Sequence, residues 1–220
     1  MLSFVHNDEI LVEPCNVPKS WLNPVTGVSY INFDNISLDD MYAMGWKQVD
    51  ENIPDFDERF YTVTYSAWRY DKDQDIVTRD YTLVEVSFES ALINCSKELE
   101  KNRKTFEISG IPYTFRGMDL IIMSDNESQY KLDSTRTAAV NGTRQDTDIW
   151  RFKQLDGSAM ILPVTNDEII DISNFAYRFI QDTYNQAGAI MATMLGTGST
   201  SALKAAIDDG TVNLNPWISS

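Results

Sequence analysis

Apolar residues at Ile169, Ile172, Phe175, Ala176, Phe179, Ile180, Ala187, Ile190, Met191 and Met194 recur close to the 3.6-residue period of a helix with one buried face. Thr165 followed three residues later by Glu168 is a capping-box pattern, in which the hydroxyl and the carboxylate each satisfy an orphan backbone N–H. The spacing therefore predicts one long amphipathic helix from Thr165 to about Leu195. At ~1.5 Å per residue it extends ~45 Å, more than a small domain needs. Either Gly188 ends its packed part, or Ala187–Leu195 projects to a neighbour, with Ile190, Met191 and Met194 as contact residues.

Upstream, the pattern alternates between periods. Phe4–Val12 reads as a hairpin around Asn7-Asp8 that ends at Pro14, and Pro18, Trp21, Pro24 and Gly27 punctuate an irregular stretch. Tyr30, Ile31 and Phe33 suggest a short strand. Ser37–Met44 reads as a short helix capped by Ser37 and stopped by Gly45. From Arg59 to Ser87 the period is two, with Tyr61, Val63, Tyr65 and Ala67 on one face, which predicts an antiparallel hairpin tipped by Asp71-Lys72-Asp73-Gln74-Asp75.

Phe88, Ala91, Leu92, Cys95 and Leu99 then predict a helix over 88–104. Phe106–Phe115 predicts a tight hairpin turning at Ser109-Gly110, and Ser124 with Glu127 a capped helix ending at Asn141-Gly142. Trp150–Val164 predicts a hairpin turning at Asp156-Gly157. After a flexible break at Gly196–Thr200, a short helix runs from Ser201 to about Asp208. The fold class this assembles is α+β: antiparallel hairpins packed on a long amphipathic C-terminal helix, with a small irregular β-rich N-terminal module. The expected parts are an attachment module over 1–58, a central hairpin over 59–87 and an α+β domain over 88–220.

Composition narrows the partners. The 33 acidic and 18 basic residues leave a formal net charge of -15 over 220 residues, which repels phosphate backbones and anionic lipid. Nucleic acid is not an expected partner, and no apolar run approaches the ~20 residues that span a bilayer. Met1–Ile10 lacks the basic and apolar regions of a secretion signal, so the expectation is a protein made and kept in a cytosol. Cys15 and Cys95, outside any CxxC, read as reduced structural thiols.

Candidate chemistry is thin. Asp71, Asp73 and Asp75 match the first three ligand positions of an EF-hand loop, but Ile76 and Thr82 stand where that loop needs Gly and Glu. His6 is the only histidine, and no GxSxG, Walker or GxGxxG motif is present, so no catalytic residue, cofactor or metal is expected. Four Asn-x-Ser/Thr matches, at Asn35, Asn94, Asn126 and Asn141, read as caps and turns. Trp21, Trp46, Trp68, Trp150 and Trp217 with ten tyrosines make the chain rich in aromatics. Trp21, Trp46 and Trp217 lie where little core is expected and are candidate interface anchors.

Several stretches, in order, carry a further signal. Ile10-Leu11-Val12-Glu13-Pro14, Pro18-Lys19-Ser20-Trp21 and Met44-Gly45-Trp46 are followed by Phe106-Glu107-Ile108-Ser109-Gly110 and Asp125-Asn126-Glu127-Ser128-Gln129. Then come the Trp150 hairpin, Ala202–Asp208 and Trp217. Together they resemble a bacteriophage tail-fibre and tail-fibre-assembly family that shares a C-terminal domain of unknown function. Where that family often has Pro-Gly-Asn, this chain has Pro14-Cys15-Asn16. The resemblance spans residues 1–50 and 88–220 and leaves the central hairpin particular to this chain.

It implies a structural or adaptor component of a phage tail, baseplate or fibre. Such a chain would be made in the bacterial cytoplasm, built into the virion and present in several copies beside other tail proteins. A tail-fibre assembly chaperone that leaves before the virion matures is the alternative. A carboxylate-based glycan hydrolase using Asp71, Asp73 and Asp75 is an alternative of another class.

Overall fold

The computed structural model describes residues 1–51 and 53–217 of a mixed α+β chain with several antiparallel sheets and five helices. Contacts divide it into two compact units, Met1–Val86 and the chain from Ser87 onward. The boundary expected at residue 58 therefore falls inside the first unit.

The first unit is built on a five-stranded sheet. Strands β1 (Leu2–His6) and β2 (Glu9–Cys15) form the expected hairpin, with Asn7 and Asp8 both at positive φ in its turn. The register slips between Leu2 and Val5, and this bulge buries Leu2, Phe4 and Val5 together, which explains the imperfect alternation of the sequence. A short ribbon of β3 (Ser20–Leu22) and β4 (Ser29–Ile31) follows. Phe33 starts a 3₁₀ turn instead of ending a strand.

Helix α1 (Leu38–Ala43) is capped by Ser37 as predicted, and Gly45 leaves it at φ +104. A Cβ there would stand 2.8 Å from the Val5 carbonyl oxygen, so the close crossing over β1 requires glycine. Strand β5 (Trp46–Asp50) then pairs with β1.

The expected central hairpin divides. Its stem, β6 (Tyr61–Tyr65) against β9 (Tyr81–Glu85), is a separate two-stranded ribbon. Its tip, β7 (Arg69–Asp71) and β8 (Ile76–Thr78), joins the sheet of the first strands because β8 pairs parallel with β5, giving the order β2-β1-β5-β8-β7. Residues 59–86 are thus not an independent module.

In the second unit, α2 (Phe88–Ile108) runs a turn past its expected end. Phe106-Glu107-Ile108 is therefore helical, and the hairpin expected across it lies further on, as β10 (Ile111–Phe115) and β11 (Met118–Ile122) turning at Arg116-Gly117. Gly110 makes the corner at φ +107, where a Cβ would fall 2.3 Å from Ile121 Cγ2. Helix α3 (Asn126–Val140) is capped by Asp125, one residue after the expected Ser124. Strands β12 (Ile149–Gln154) and β13 (Ala159–Pro163) form the Trp150 hairpin where the sequence places it.

Helix α4 (Asn166–Gly196) starts at the predicted capping box of Thr165 and Glu168, and α5 (Thr200–Asp208) follows after three residues. The sheet order is β10-β11-β12-β13. Ile111, Phe115, Leu120, Ile122 and Phe152 on one face of this sheet pack with Leu132 of α3 and Ile169, Ile172 and Ala176 of α4.

Candidate interaction surfaces

In the first unit Trp21 and Trp46 are interior, and Trp68 is half-buried. Trp46 is 0% exposed, and Trp21 is also buried, with ring centroids 5.2 Å apart. Phe4 lies 4.9 Å from Trp21 and Phe33 5.4 Å from Trp46, in tilted contacts that suit the ring quadrupoles. Two candidate anchors, Trp21 and Trp46, are core residues, because a small unit with short strands fills its centre with its largest side chains. Trp68 stacks on the guanidinium of Arg79, 4.2 Å from its centroid, and Arg79 also pairs with Glu51.

The acidic tip is spoken for as well. Asp75 pairs with Lys47 at 2.7 Å and accepts from the Tyr70 hydroxyl at 2.5 Å, which pushes that phenol up to about 12. Asp71 accepts from the backbone N–H groups of Asp73 and Gln74 in an Asx turn. The Asp71 and Asp75 carboxylates thus have separate partners. Among the described residues no group of His, Cys, Asp and Glu is placed to hold a metal ion, and Cys15 is a free thiol.

The second unit holds one buried charged network. Arg103, 1% exposed, reaches Glu100 at 2.6 Å, pairs with buried Glu107 one turn on, and lies 3.7 Å from the Tyr184 ring centroid. Thr183 of α4 donates its hydroxyl hydrogen to Glu107, and Ser124 donates to the Glu107 carbonyl. The hydrogen bonds to Glu100 and then Glu107 raise the Arg103 pKa against the cost of burial. This network ties α2, α4 and the start of α3 together, and its acceptors are turned on protein donors.

Among the described residues of the second unit, nothing covers the other face of the four-stranded sheet. Its side chains come from the parity opposite to the core: Pro112 and Thr114, Asp119 and Ile121, Ile149, Arg151 and Lys153, and Ala159, Ile161 and Pro163. Ile149 is 66% exposed and Ile161 56%. Arg151 and Lys153 carry the positive charge of this face, and among the described residues neither has an ion-pair partner.

A cleft of about 510 Å³ opens beside them, between β12 and the first turns of α3, with Met123, Ser128 and Lys131 on the helix side. Lys131 pairs with Glu127 at 2.6 Å. Buried Arg144 sets the approach of the chain to β12: it donates to the Asp148 carbonyl at 2.8 Å and to Asn166 Oδ1 at the start of α4 at 3.1 Å.

Comparison with family models, curated proteins and solved structures finds no match.

The remaining candidates divide. Helix α4 continues through Gly188 and packs on α2, so Ala187–Leu195 does not project; Met194 is 0% exposed and the Ser96 hydroxyl lies 3.1 Å from Met191 Sδ. Ile190 is half-buried on the same helix. Trp217 stacks on Phe106 at 6.2 Å, and Phe106 on Phe179 at 5.4 Å, while Val212 and Leu214 of the tail are buried. Met194 and Trp217 are thus engaged within the chain. Ile149, Arg151, Lys153 and Ile161 were not singled out by the sequence, and they carried one legible signal: an isoleucine on the outward parity of both β12 and β13.

Among the described residues no helix is long and apolar enough to cross a membrane.

Proposed function

We propose that this chain is a structural or adaptor component of a bacteriophage tail, baseplate or tail fibre that works by protein–protein contact. The observation that carries the reading is the uncovered sheet face of the second unit. Exposed isoleucines there flank two cations without ion-pair partners among the described residues, in a chain of net charge -15. An apolar patch with a charged rim is what a contact surface needs, since burial supplies affinity and the charges set register.

The ordered resemblance to tail-fibre proteins supplies the setting, and two of its motifs have a physical role here. In Asp125-Asn126-Glu127-Ser128-Gln129, Asp125 accepts from the Ser128 N–H at 3.0 Å and Gln129 donates to the Ser124 carbonyl at 2.6 Å, fixing the helix that walls the cleft. The Trp150 hairpin forms the exposed face itself. In this reading the hairpins packed on the long helix α4 are a platform, several copies of which share one symmetric interface. No catalytic residue or cofactor is assigned.

Quantitative mass spectrometry of purified particles tests the proposal. Stoichiometric presence in the tail is the expected result. Absence from mature particles, together with capture of a fibre protein from infected cells, replaces the structural role by an assembly chaperone. Absence from particles with no tail protein captured overturns both.

A further inference from the structure

The backbone at the cleft carries more information than its side chains. In the β12–β13 hairpin the Gln154 N–H donates to the Ser158 carbonyl and the Val164 N–H to the Asp148 carbonyl. Even-numbered residues of β12 therefore turn their hydrogen-bonding groups toward β13, and odd-numbered ones toward β11. On that side pairing stops after Leu120↔Gln154 and Ile121↔Lys153.

Continued register would set Met123 opposite Arg151. Instead the chain peels away, because Ser124 is tied to the Glu107 carbonyl and Asp125 caps α3. The N–H and C=O groups of Ile149 and Arg151 are left along the edge of β12 with no strand beside them among the described residues. An edge inside a groove, with a helix as the far wall, is the geometry that accepts an added strand.

Charge says which strand. Arg151 and Lys153 stand on the outer face at this edge without carboxylate partners among the described residues, and Lys131 adds a third cation on the helix side, paired with Glu127.

We infer that the groove between β12 and α3 receives an extended segment of a partner protein, added as a strand to the Ile149–Arg151 edge and carrying acidic side chains beside Arg151 and Lys153. The inference rests on the contact role proposed above and names the chemistry of the contact. Main-chain bonds to Ile149 and Arg151 provide affinity independent of sequence, and the cations select acidic residues at alternate positions.

The test uses the full chain and a soluble peptide of alternating Val and Asp. Expected results are slowed hydrogen exchange at the Ile149 and Arg151 amides and binding at least about tenfold tighter than the matching Val and Lys peptide. Binding should be lost when one alternate set of peptide nitrogens is methylated and retained when the other set is. The double substitution Arg151→Glu and Lys153→Glu, both on the surface, should invert the preference for charge.

Equal binding of the two peptides, indifference to methylation, or unchanged exchange at both amides overturns the inference. So does protection that appears with rising protein concentration alone, which assigns the groove to a second copy. Peptide binding by a chain absent from tails would sink the tail role and leave the groove standing; a tail protein that ignores the peptide does the reverse.

Discussion

The two units spend their large side chains differently. The first packs Phe4, Trp21, Phe33 and Trp46 into one aromatic cluster under short strands, while its β6–β9 ribbon buries no side chain. The second fills its core with aliphatic residues between a sheet and two helices, then leaves isoleucines on the sheet's far face. Aromatic residues therefore mark the interior in one unit, and plain isoleucines mark the exposed surface in the other. Residue type alone is a poor guide to exposure; parity within a strand is a better one.

The largest effect expected from breaking this contrast is at Trp46. Trp46→Ala removes a fully enclosed ring from contact with Phe4, Trp21 and Phe33, at a cost of about 4 kcal/mol in the first unit. Denaturant titration followed by amide spectra should show unit-one signals collapsing at lower denaturant while those of the second unit persist. Equal loss from both units would mean that the units share one folding transition.

Next comes the buried pair of the second unit. Arg103→Ala removes the cation beside the enclosed Glu107, leaving the Thr183 hydroxyl as its side-chain partner among the described residues, and should cost about 3 kcal/mol. Replacing Arg103 and Glu107 together by Met and Leu should recover much of that loss in thermal melts. If the double change is as damaging as the single one, the network acts through shape and not through charge.

Much of the fold was legible where the signal is local. The capping box at Thr165, the turn at Asp156-Gly157 and the Ser37 cap all involve residues within a few positions of one another. What escaped depended on distant partners. Phe106-Glu107-Ile108 alternates like a strand, yet Glu107 accepts from Thr183 of α4 and Phe106 stacks on Phe179, so tertiary contacts keep those residues helical.

Ser124 and Asp125 are both good capping residues. Only the buried bond from Ser124 to α2 leaves the cap to Asp125. The parallel pairing of β5 with β8 links residues 48–50 to 76–78 and has no local trace. The exposed face was half legible: the Ile149-Trp150-Arg151-Phe152 alternation is plain, but which parity faces the core is set by helices elsewhere in the chain.

A smaller effect is expected at Glu168, which caps α4 and is gripped at both oxygens by Arg116 at 2.8 and 2.7 Å. The Arg116 hydrogen bonds, with those from Thr165, pull its carboxyl from an ordinary 4.5 down to about 2. Since the folded value lies below the unfolded one, the stability this group contributes is present above about pH 4.5 and is lost as pH falls toward 2. The pair is largely exposed, so screening keeps its worth small. Glu168→Gln preserves the capping geometry and removes the charge. Melts of the variant should be flatter than the parent between those pH values; an unchanged slope would assign the acid sensitivity of the second unit to other carboxylates.

The smallest effect on stability is the most telling. Ile149→Thr and Ile161→Thr keep β-branched side chains on a face that packs against nothing among the described residues, so together they should shift unfolding by no more than about 0.5 kcal/mol. The same two changes at core parity, Phe152→Thr for instance, should cost several times that, because Phe152 is fully enclosed and stacks on Phe115 at 5.1 Å. If the isoleucines are there for a partner, the double variant will melt like the parent and yet be depleted from tail particles. A fall in stability comparable to that of the core substitution would instead make the exposed face part of the fold, and the contrast between the two parities of β12 would disappear.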